Sequence, residues 1–226
     1  MNLQEICFIA RSQIKDLAVK KVSEHELISY VNVAKDELVS VMRQAREDYF
    51  LTSTTSTVQT AAAPNPSTVS LPSDFLELKE LKITTSGYED IDFLASDRTR
   101  TQFRNALIDG GSFGNGSGIC LYDIYGNTTL MLAPGFDVAL DLEITYIKDV
   151  ADLHLPTDEP TDIPSSLHSY IPISAACQAL RSLGDPRLST FEAFRLEQIN
   201  DVRATIQPRQ VREAKYVVGF MENEEW

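Results

Sequence analysis

The sequence predicts an α+β protein: a helical bundle formed by N- and C-terminal helix pairs, with an inserted antiparallel β-domain and an extended C-terminal tail. Apolar residues recur at helical spacing near both ends of the chain, whereas β-favouring runs separated by turn residues occupy its middle. An acidic, proline-rich stretch then leads back to the last helices. The expected divisions are N-terminal helices at 1–51, the β-domain at 52–148, the return loop and C-terminal helices at 149–206, and the tail at 207–226.

The N-terminal region predicts two amphipathic helices. Apolar residues at helical spacing place the first over residues 2–19. Ser23 and Glu26 have the spacing of a capping box, in which the serine side chain accepts a backbone hydrogen bond and the glutamate side chain reaches back to the cap. A second helix should follow and continue to about Tyr49-Phe50. Each helix has one apolar stripe, so each needs a partner surface.

The first part of the β-domain predicts short strands and loops. The expected strands are, in chain order, residues 52–60, 69–72 and 76–85. The apolar positions of the third strand are Leu76, Leu78, Leu81 and Ile83. A short helix is expected over 97–107, and a glycine-rich connection over 109–118 leads into the next strands.

A three-stranded antiparallel meander is predicted over residues 118–147. Two β-favouring runs flank Gly126-Asn127, and both of these residues tolerate the positive φ of a tight hairpin turn. The third run alternates strictly between apolar and polar residues, which is typical of a half-buried strand. Its apolar face would be Val138, Leu140, Leu142, Ile144 and Tyr146.

The last part of the chain predicts a long loop and two further helices. Asp, Glu and Pro residues dominate positions 149–164, and helical spacing then runs from Leu167 to Leu183. Pro172 should break or kink the first turns of that helix. The final helix should span 188–206 and end before Pro208. Its expected inner face comprises Phe191, Phe194, Leu196, Ile199, Val202 and Ile206.

Charge and composition exclude several classes of protein. Twenty Lys and Arg residues against 33 Asp and Glu residues give a formal net charge of −13, which argues against binding nucleic acid through its phosphates. No run approaches the ~20 apolar residues of a membrane-spanning helix. Charged residues interrupt the N-terminal apolar stretch, so we expect no signal peptide. The three cysteines, Cys7, Cys120 and Cys177, are expected to be reduced core thiols in a cytosolic setting.

Motifs of catalysis and metal binding fail on their context. Ser112 lies in a G-x-S-x-G pattern, but a nucleophile elbow needs a buried strand before the serine and a helix after it. Neither is expected there, so a mobile glycine loop is the favoured interpretation. His25, His154 and His168 have no ligand partners at metal-site spacing and should lie at the surface or in caps. The acidic loop lacks the pattern of a calcium-binding loop. We therefore predict no enzyme activity, cofactor or metal.

Several short sequences, in their order, resemble those of tailed-phage head-to-tail adaptor (connector) proteins. The similar segments are Leu71-Pro72-Ser73-Asp74-Phe75, Leu130-Met131-Leu132-Ala133-Pro134, Leu142-Glu143-Ile144-Thr145-Tyr146 and Gly184-Asp185-Pro186-Arg187. The resemblance covers about residues 26–206. It departs at Phe136, where the family usually has a second proline.

The resemblance implies a structural virion protein of the neck, assembled in the host cytoplasm. Twelve copies would form a ring under the portal vertex that joins the capsid to the tail and lets DNA pass without specific binding. Its partners would be the portal protein, tail or nozzle proteins and other copies of itself, with no membrane. A closed ring requires contact between two different faces of each subunit. The alternatives are another ring-forming neck, tail-tube or head-completion protein and, from a different class, a serine hydrolase using Ser112.

The C-terminal tail is the expected portal-binding segment. Its first half is basic and its second half is rich in aromatic and β-branched residues, which is more apolar surface than a free terminus usually exposes. An extended segment of this kind can fill a groove, with its aromatic side chains as anchors. The expected portal-binding residues are Arg209, Arg212, Lys215, Tyr216, Val217, Phe220 and Trp226.

Overall fold

The computed structural model of the protein describes residues 1–15, 21–61, 65–88, 90–95 and 117–206. The chain divides into two compact units. Unit 1 joins Met1–Glu47 to Ile163–Trp226, and unit 2 is Asp48–Asp162. Helices and sheets are both present, so the α+β class predicted from the sequence is confirmed. The finer division into four segments stays a prediction.

Unit 1 is helical, and one helix packs against all the others. Its helices are α1 (Leu3–Ile14), α2 (Glu24–Ala45), α3 (Tyr170–Leu183) and α4 (Leu188–Ile206), with a 3-10 turn at Ser165–Leu167 before α3. Buried residues lie on most sides of α3, and many are small, which lets neighbouring helices approach closely. α3 accordingly packs against α1, α2 and α4. Pro172 lies in the first turn of α3, where a missing N–H leaves no helical hydrogen bond unmade.

Local capping residues set the helix ends. The capping box predicted at Ser23 and Glu26 is confirmed, and a second one, which the sequence analysis missed, joins Asn2 and Glu5 at the start of α1. α1 ends at Ile14 rather than Val19, because Lys15 adopts a left-handed conformation with φ 58°. α2 ends at Ala45, before the predicted Tyr49-Phe50, because the backbone at Arg46 is extended.

Unit 2 contains two sheets that share one core. Its strands are β1 (Leu51–Val58), β2 (Ser67–Ser70), β3 (Phe75–Ile83), β4 (Asp90–Ala95), β5 (Ser117–Tyr125), β6 (Thr129–Ala133) and β7 (Leu140–Lys148). One sheet has the order β1-β7-β3 and the other β2-β6-β5-β4. Buried side chains from both sheets, among them Val58, Leu132 and Leu142, form a single apolar cluster.

The predicted three-stranded meander is wrong, although its hairpin is confirmed. β5 and β6 pair in antiparallel fashion across Gly126 and Asn127, whose φ angles are 61° and 57°. β7 does not pair with β6; it lies in the other sheet between β1 and β3. Pro134 after β6 has no N–H to continue the ladder. The predicted inner face of β7 is buried from Leu140 to Tyr146, while Val138 precedes the strand and is exposed.

Phe136 fixes the crossing from β6 to β7. Its side chain is fully buried in the core of unit 2. Its N–H donates to Ser67 Oγ at 2.8 Å, and its carbonyl oxygen accepts from the N–H of Ala61 at 2.9 Å. A proline at this position, as is usual in the resembling family, could not donate the first bond. Phenylalanine in place of the family's usual proline therefore provides a hydrogen bond within unit 2.

The prediction that the β-domain is wholly antiparallel is wrong, because one pair of its strands is parallel. The sequence analysis missed β4, which pairs with β5 in parallel fashion from Asp90 with Ser117 to Ala95 with Tyr122. Asp90 and Asp92 are of a residue type that is disfavoured in strands, so the composition of this segment did not predict a strand. Parallel neighbours need a long connection, and residues 96–116 provide one. The predicted short helix over 97–107 lies outside the described residues.

β3 departs from the predicted alternation. Register shifts in its pairing with β7 occur between Phe75 and Glu77 and between Leu78 and Glu80. Such irregularities move side chains to the opposite face. Phe75 is therefore buried, while the predicted core residue Leu76 is 42% exposed. Ile83 is buried, and the remaining predicted apolar positions pack at the edge of the core.

Candidate functional site

The residues expected to bind the portal lie outside the described residues, in the segment 207–226. They are Arg209, Arg212, Lys215, Tyr216, Val217, Phe220 and Trp226. Ser112, the serine of the alternative hydrolase hypothesis, lies in the segment 96–116, which is also outside them.

Two of the adaptor-like segments meet in unit 2 at the start of β3. The Tyr146 hydroxyl donates to Asp74 Oδ1 at 2.9 Å, and the rings of Tyr146 and Phe75 lie 5.7 Å apart. The Asp74 carbonyl oxygen accepts from the N–H of Asp149 at 2.7 Å. Burial, followed by the hydrogen bond to the Asp74 carboxylate, raises the pKa of Tyr146 to about 12. The phenol is therefore a neutral donor that fixes β3 against the end of β7.

A third adaptor-like segment, Gly184-Asp185-Pro186-Arg187, connects α3 to α4 and holds the end of α1. Gly184 ends α3 in a left-handed conformation, with φ 62°. Arg187 Nη2 donates to Asp185 Oδ2 at 2.7 Å and to the carbonyl oxygen of Ile14 at 3.2 Å. The hydrogen bonds from Arg187 hold the pKa of Asp185 well below its usual range. The segment thus satisfies a carbonyl group that the end of α1 leaves free.

A polar cluster in unit 1 joins α2, α3 and α4. Glu37 on α2 forms an ion pair with Arg195 on α4, and both side chains are largely shielded from solvent. The Ser174 hydroxyl of α3 donates to Glu37 Oε2 at 2.7 Å. Burial, and next the nearby Glu37 carboxylate, raise the pKa of Tyr170. The sequence analysis missed this cluster because Glu37 and Arg195 lie far apart along the chain.

One histidine and all three cysteines are buried or partly buried. His168 is buried, not at the surface as predicted, because its Nε2 donates to the carbonyl oxygen of Ile163 at 2.8 Å. All three cysteines are free thiols. Burial raises the pKa of Cys7 to about 11 and that of Cys120 to about 12, so both are protonated at neutral pH.

The acidic loop uses several of its carboxylates within unit 2. Asp158 accepts from the N–H groups of His154 at 2.8 Å and Leu155 at 2.7 Å, and these bonds lower its pKa. Asp162 forms an ion pair with Lys148 at the end of β7. Within the described residues, no group of three or more His, Cys, Asp or Glu side chains is arranged to hold a metal ion. The helices described here include none that is both long and apolar enough to cross a membrane.

The predicted inner face of α4 is only partly correct. Ile199, Val202 and Ile206 are buried, but Phe194 is 54% exposed and Leu196 is 55% exposed. Residues two positions apart lie about 200° apart around a helix, so Phe194 and Leu196 cannot belong to one stripe. That spacing is the signal in the sequence that could have revealed an outward-facing aromatic residue.

Phe194 borders a groove on the surface of unit 1, here called the α4 groove. Its cavity volume is about 490 Å³. Both apolar and carboxylate side chains line the groove. Its lining includes Gln13, Ile173, Phe191, Phe194, Glu197 and Asp201. Elsewhere on unit 1, Phe8 of α1 is 64% exposed, the most exposed aromatic side chain among the described residues of that unit.

Comparison with known proteins identifies the family to which the chain is similar. A family model described as SU10 adaptor protein matches residues 1–216. The match spans nearly the whole chain, including every described residue and the first part of the tail. No curated protein matches the chain.

Proposed function

The chain belongs to the SU10 adaptor protein family, a phage head-to-tail adaptor family, and from this premise we propose that its copies form a twelvefold ring joining the portal to the tail. The resemblance to such adaptors, inferred from short sequence segments, is confirmed. The protein is thus a structural adaptor and a virion component. The family match over residues 1–216 is the observation that carries the proposal.

The tail is the segment that we propose to dock on the portal. It directly follows Ile206, the last residue of α4, so α4 fixes its starting point. Arg209, Arg212 and Lys215 would pair with acidic groups of the portal. Tyr216, Val217, Phe220 and Trp226 would fill apolar sites there, as aromatic anchors commonly do in protein interfaces. The ring would bind tail or nozzle proteins on its other side.

DNA would pass through the ring without being held. A net charge of −13 supplies no excess of cations to neutralise phosphates. A neutral to acidic channel wall would repel the duplex weakly and let it slide. The purified ring should therefore bind duplex DNA more weakly than micromolar, with little dependence on salt.

Attachment to portal-bearing capsids tests the proposal directly. Truncation after Gln207 should leave the melting temperature nearly unchanged and abolish attachment, whereas the full chain should form rings of twelve subunits under negative-stain microscopy. A matched control replaces Glu222, Glu224 and Glu225 with Gln, since these tail residues are assigned no contact. Normal attachment of the truncated protein would exclude the tail as the docking segment. The absence of rings from capsids saturated with the full chain would exclude the ring.

A further inference from the structure

Unit 1 presents two surfaces that each combine an aromatic ring with a charge. The α4 groove offers Phe194 and, seven residues later on the same helix, the exposed carboxylate of Asp201. On α1, Phe8 is exposed, and Lys15 lies exposed at the C-terminal cap of the helix, also seven residues later. Seven residues correspond to about 10 Å along a helix. The two surfaces therefore match in spacing and are opposite in charge.

These two surfaces cannot meet within one copy. Gln13, the α1 residue that lines the α4 groove, follows Phe8 by five residues, so the two side chains lie about 140° apart around α1. Phe8 thus faces away from the groove of its own unit. A heterologous contact in a closed ring joins two different faces of each subunit, as these two surfaces would.

We propose that Phe8 of one copy docks in the α4 groove of the next copy around the ring, against Phe194, with Lys15 paired to Asp201. The occupant of the groove is thus a second copy of this chain. The inference rests on the proposed ring, whose subunit contacts it specifies. If α1 of one copy packs parallel to α4 of its neighbour, the aromatic side chain of Phe8 contacts that of Phe194. The Lys15 ammonium group then lies next to the Asp201 carboxylate. Ile173 and Phe191 extend the apolar surface under Phe8.

Serine substitutions on α4 test the aromatic contact with a matched control. Phe194→Ser removes the residue that would contact Phe8, whereas Leu196→Ser removes an equally exposed apolar side chain about 200° away around the same helix. Subunit association on portal-bearing capsids should weaken on the order of tenfold or more for Phe194→Ser and stay unchanged for Leu196→Ser. Circular dichroism melting confirms that both variants fold. Equal association of the two variants would overturn the proposal.

A charge exchange tests the ionic contact. Lys15→Glu and Asp201→Lys should each weaken association several-fold, because each places like charges together. The double variant should recover most of the loss at low salt. If the double variant is no better than the two single variants, the pairing is wrong.

Cross-linking between copies tests the proposed contact independently of whether the protein forms a ring. In a Cys7→Ser background that keeps Phe8 and Phe194, Lys15→Cys combined with Asp201→Cys should give a ladder of covalent multimers with a short bis-maleimide. Lys15→Cys combined with Leu196→Cys should give monomers. Rings without the first ladder would overturn this contact and leave the proposed function standing. Capsids that carry no ring of wild-type protein would instead overturn the proposed function.

Discussion

The Tyr146 hydroxyl donates a hydrogen bond of 2.9 Å to Asp74 Oδ1, and this contact joins two of the segments that resemble phage adaptors. Tyr146→Phe keeps the ring against Phe75 but removes the bond, so we expect a loss of about 1 kcal/mol in the free energy of unfolding. Asp74→Asn in combination measures the coupling between the two residues in urea unfolding. A coupling energy of zero would show that water replaces the bond without cost.

The two buried tyrosines predict a loss of stability in alkali. The pKa of Tyr146 is raised to about 12, and that of Tyr170 is also raised, in each case chiefly by burial. A raised pKa stabilises the fold fully below the unfolded-state value, which is about 10 for tyrosine, and that contribution is lost as the pH rises above it. The free energy of unfolding should fall above pH 10, on the order of 1 kcal/mol per pH unit for each tyrosine.

Phenylalanine variants identify the source of this alkaline loss. Tyr146→Phe and Tyr170→Phe should each make the free energy of unfolding fall less steeply between pH 10 and 12. Neither should change its pH dependence below pH 9. Urea unfolding at each pH gives the slope. Tyr122→Phe, a half-buried tyrosine in the same unit as Tyr146, is the control. An unchanged slope in Tyr146→Phe would contradict the assignment.

Two arginine ion pairs of unit 1 should differ in their contribution to stability. Arg195 pairs with Glu37 where both side chains are shielded, whereas Arg181 pairs with Glu192 where they are 52% and 37% exposed. Arg195→Met leaves the shielded carboxylate of Glu37 without its cationic partner, so we expect a loss of about 2 kcal/mol. Arg181→Met should lose less than about 1 kcal/mol. Thermal and urea unfolding compare the two, and similar losses would refute the distinction.

Two glycines of unit 2 should respond differently to alanine. A Cβ atom at Gly135 would lie 2.7 Å from the carbonyl oxygen of Asn65 and 2.9 Å from that of Ala61, and neither backbone group can rotate away. Gly135→Ala should therefore lose more than about 2 kcal/mol. Gly126 has φ 61°, and a Cβ atom there would meet Thr128 Oγ1 at an ordinary contact distance of 3.9 Å, so Gly126→Ala should lose only about 1 kcal/mol. Urea unfolding measures the loss of stability in both variants. A larger loss for Gly126→Ala than for Gly135→Ala would be inconsistent with the close approach at Gly135.

Local signals in the sequence predicted much of unit 1. The last helix begins at the predicted residue, Leu188, because Gly184-Asp185-Pro186 separates it from α3. The Ser23–Glu26 capping box also needs only neighbouring residues to form. Interactions of this kind are complete within a few positions of the chain. They can therefore be recognised without knowing what packs against them.

Features that depend on distant partners were not predictable in the same way. The alternation of β7 indicates which face is buried, but it does not indicate that β1 and β3, rather than β6, are its neighbours. β4 is stabilised by pairing with β5 despite its aspartates, so its own composition hides it. The α4 groove likewise depends on how α1, α3 and α4 come together. The class of protein, a phage adaptor, was indicated by the order of several short segments that resemble such adaptors.

Unit 1 is built from two segments that flank Asp48–Asp162, so it cannot be completed until the second segment has been made. α1 and α2 pack chiefly on α3, which the ribosome makes only after the whole of Asp48–Asp162. At about 5–20 residues per second, roughly 10 s pass between them. Unit 2 can close during that interval, whereas the apolar stripes of α1 and α2 stay uncovered. During synthesis the nascent chain therefore exposes apolar surface that the folded unit 1 covers.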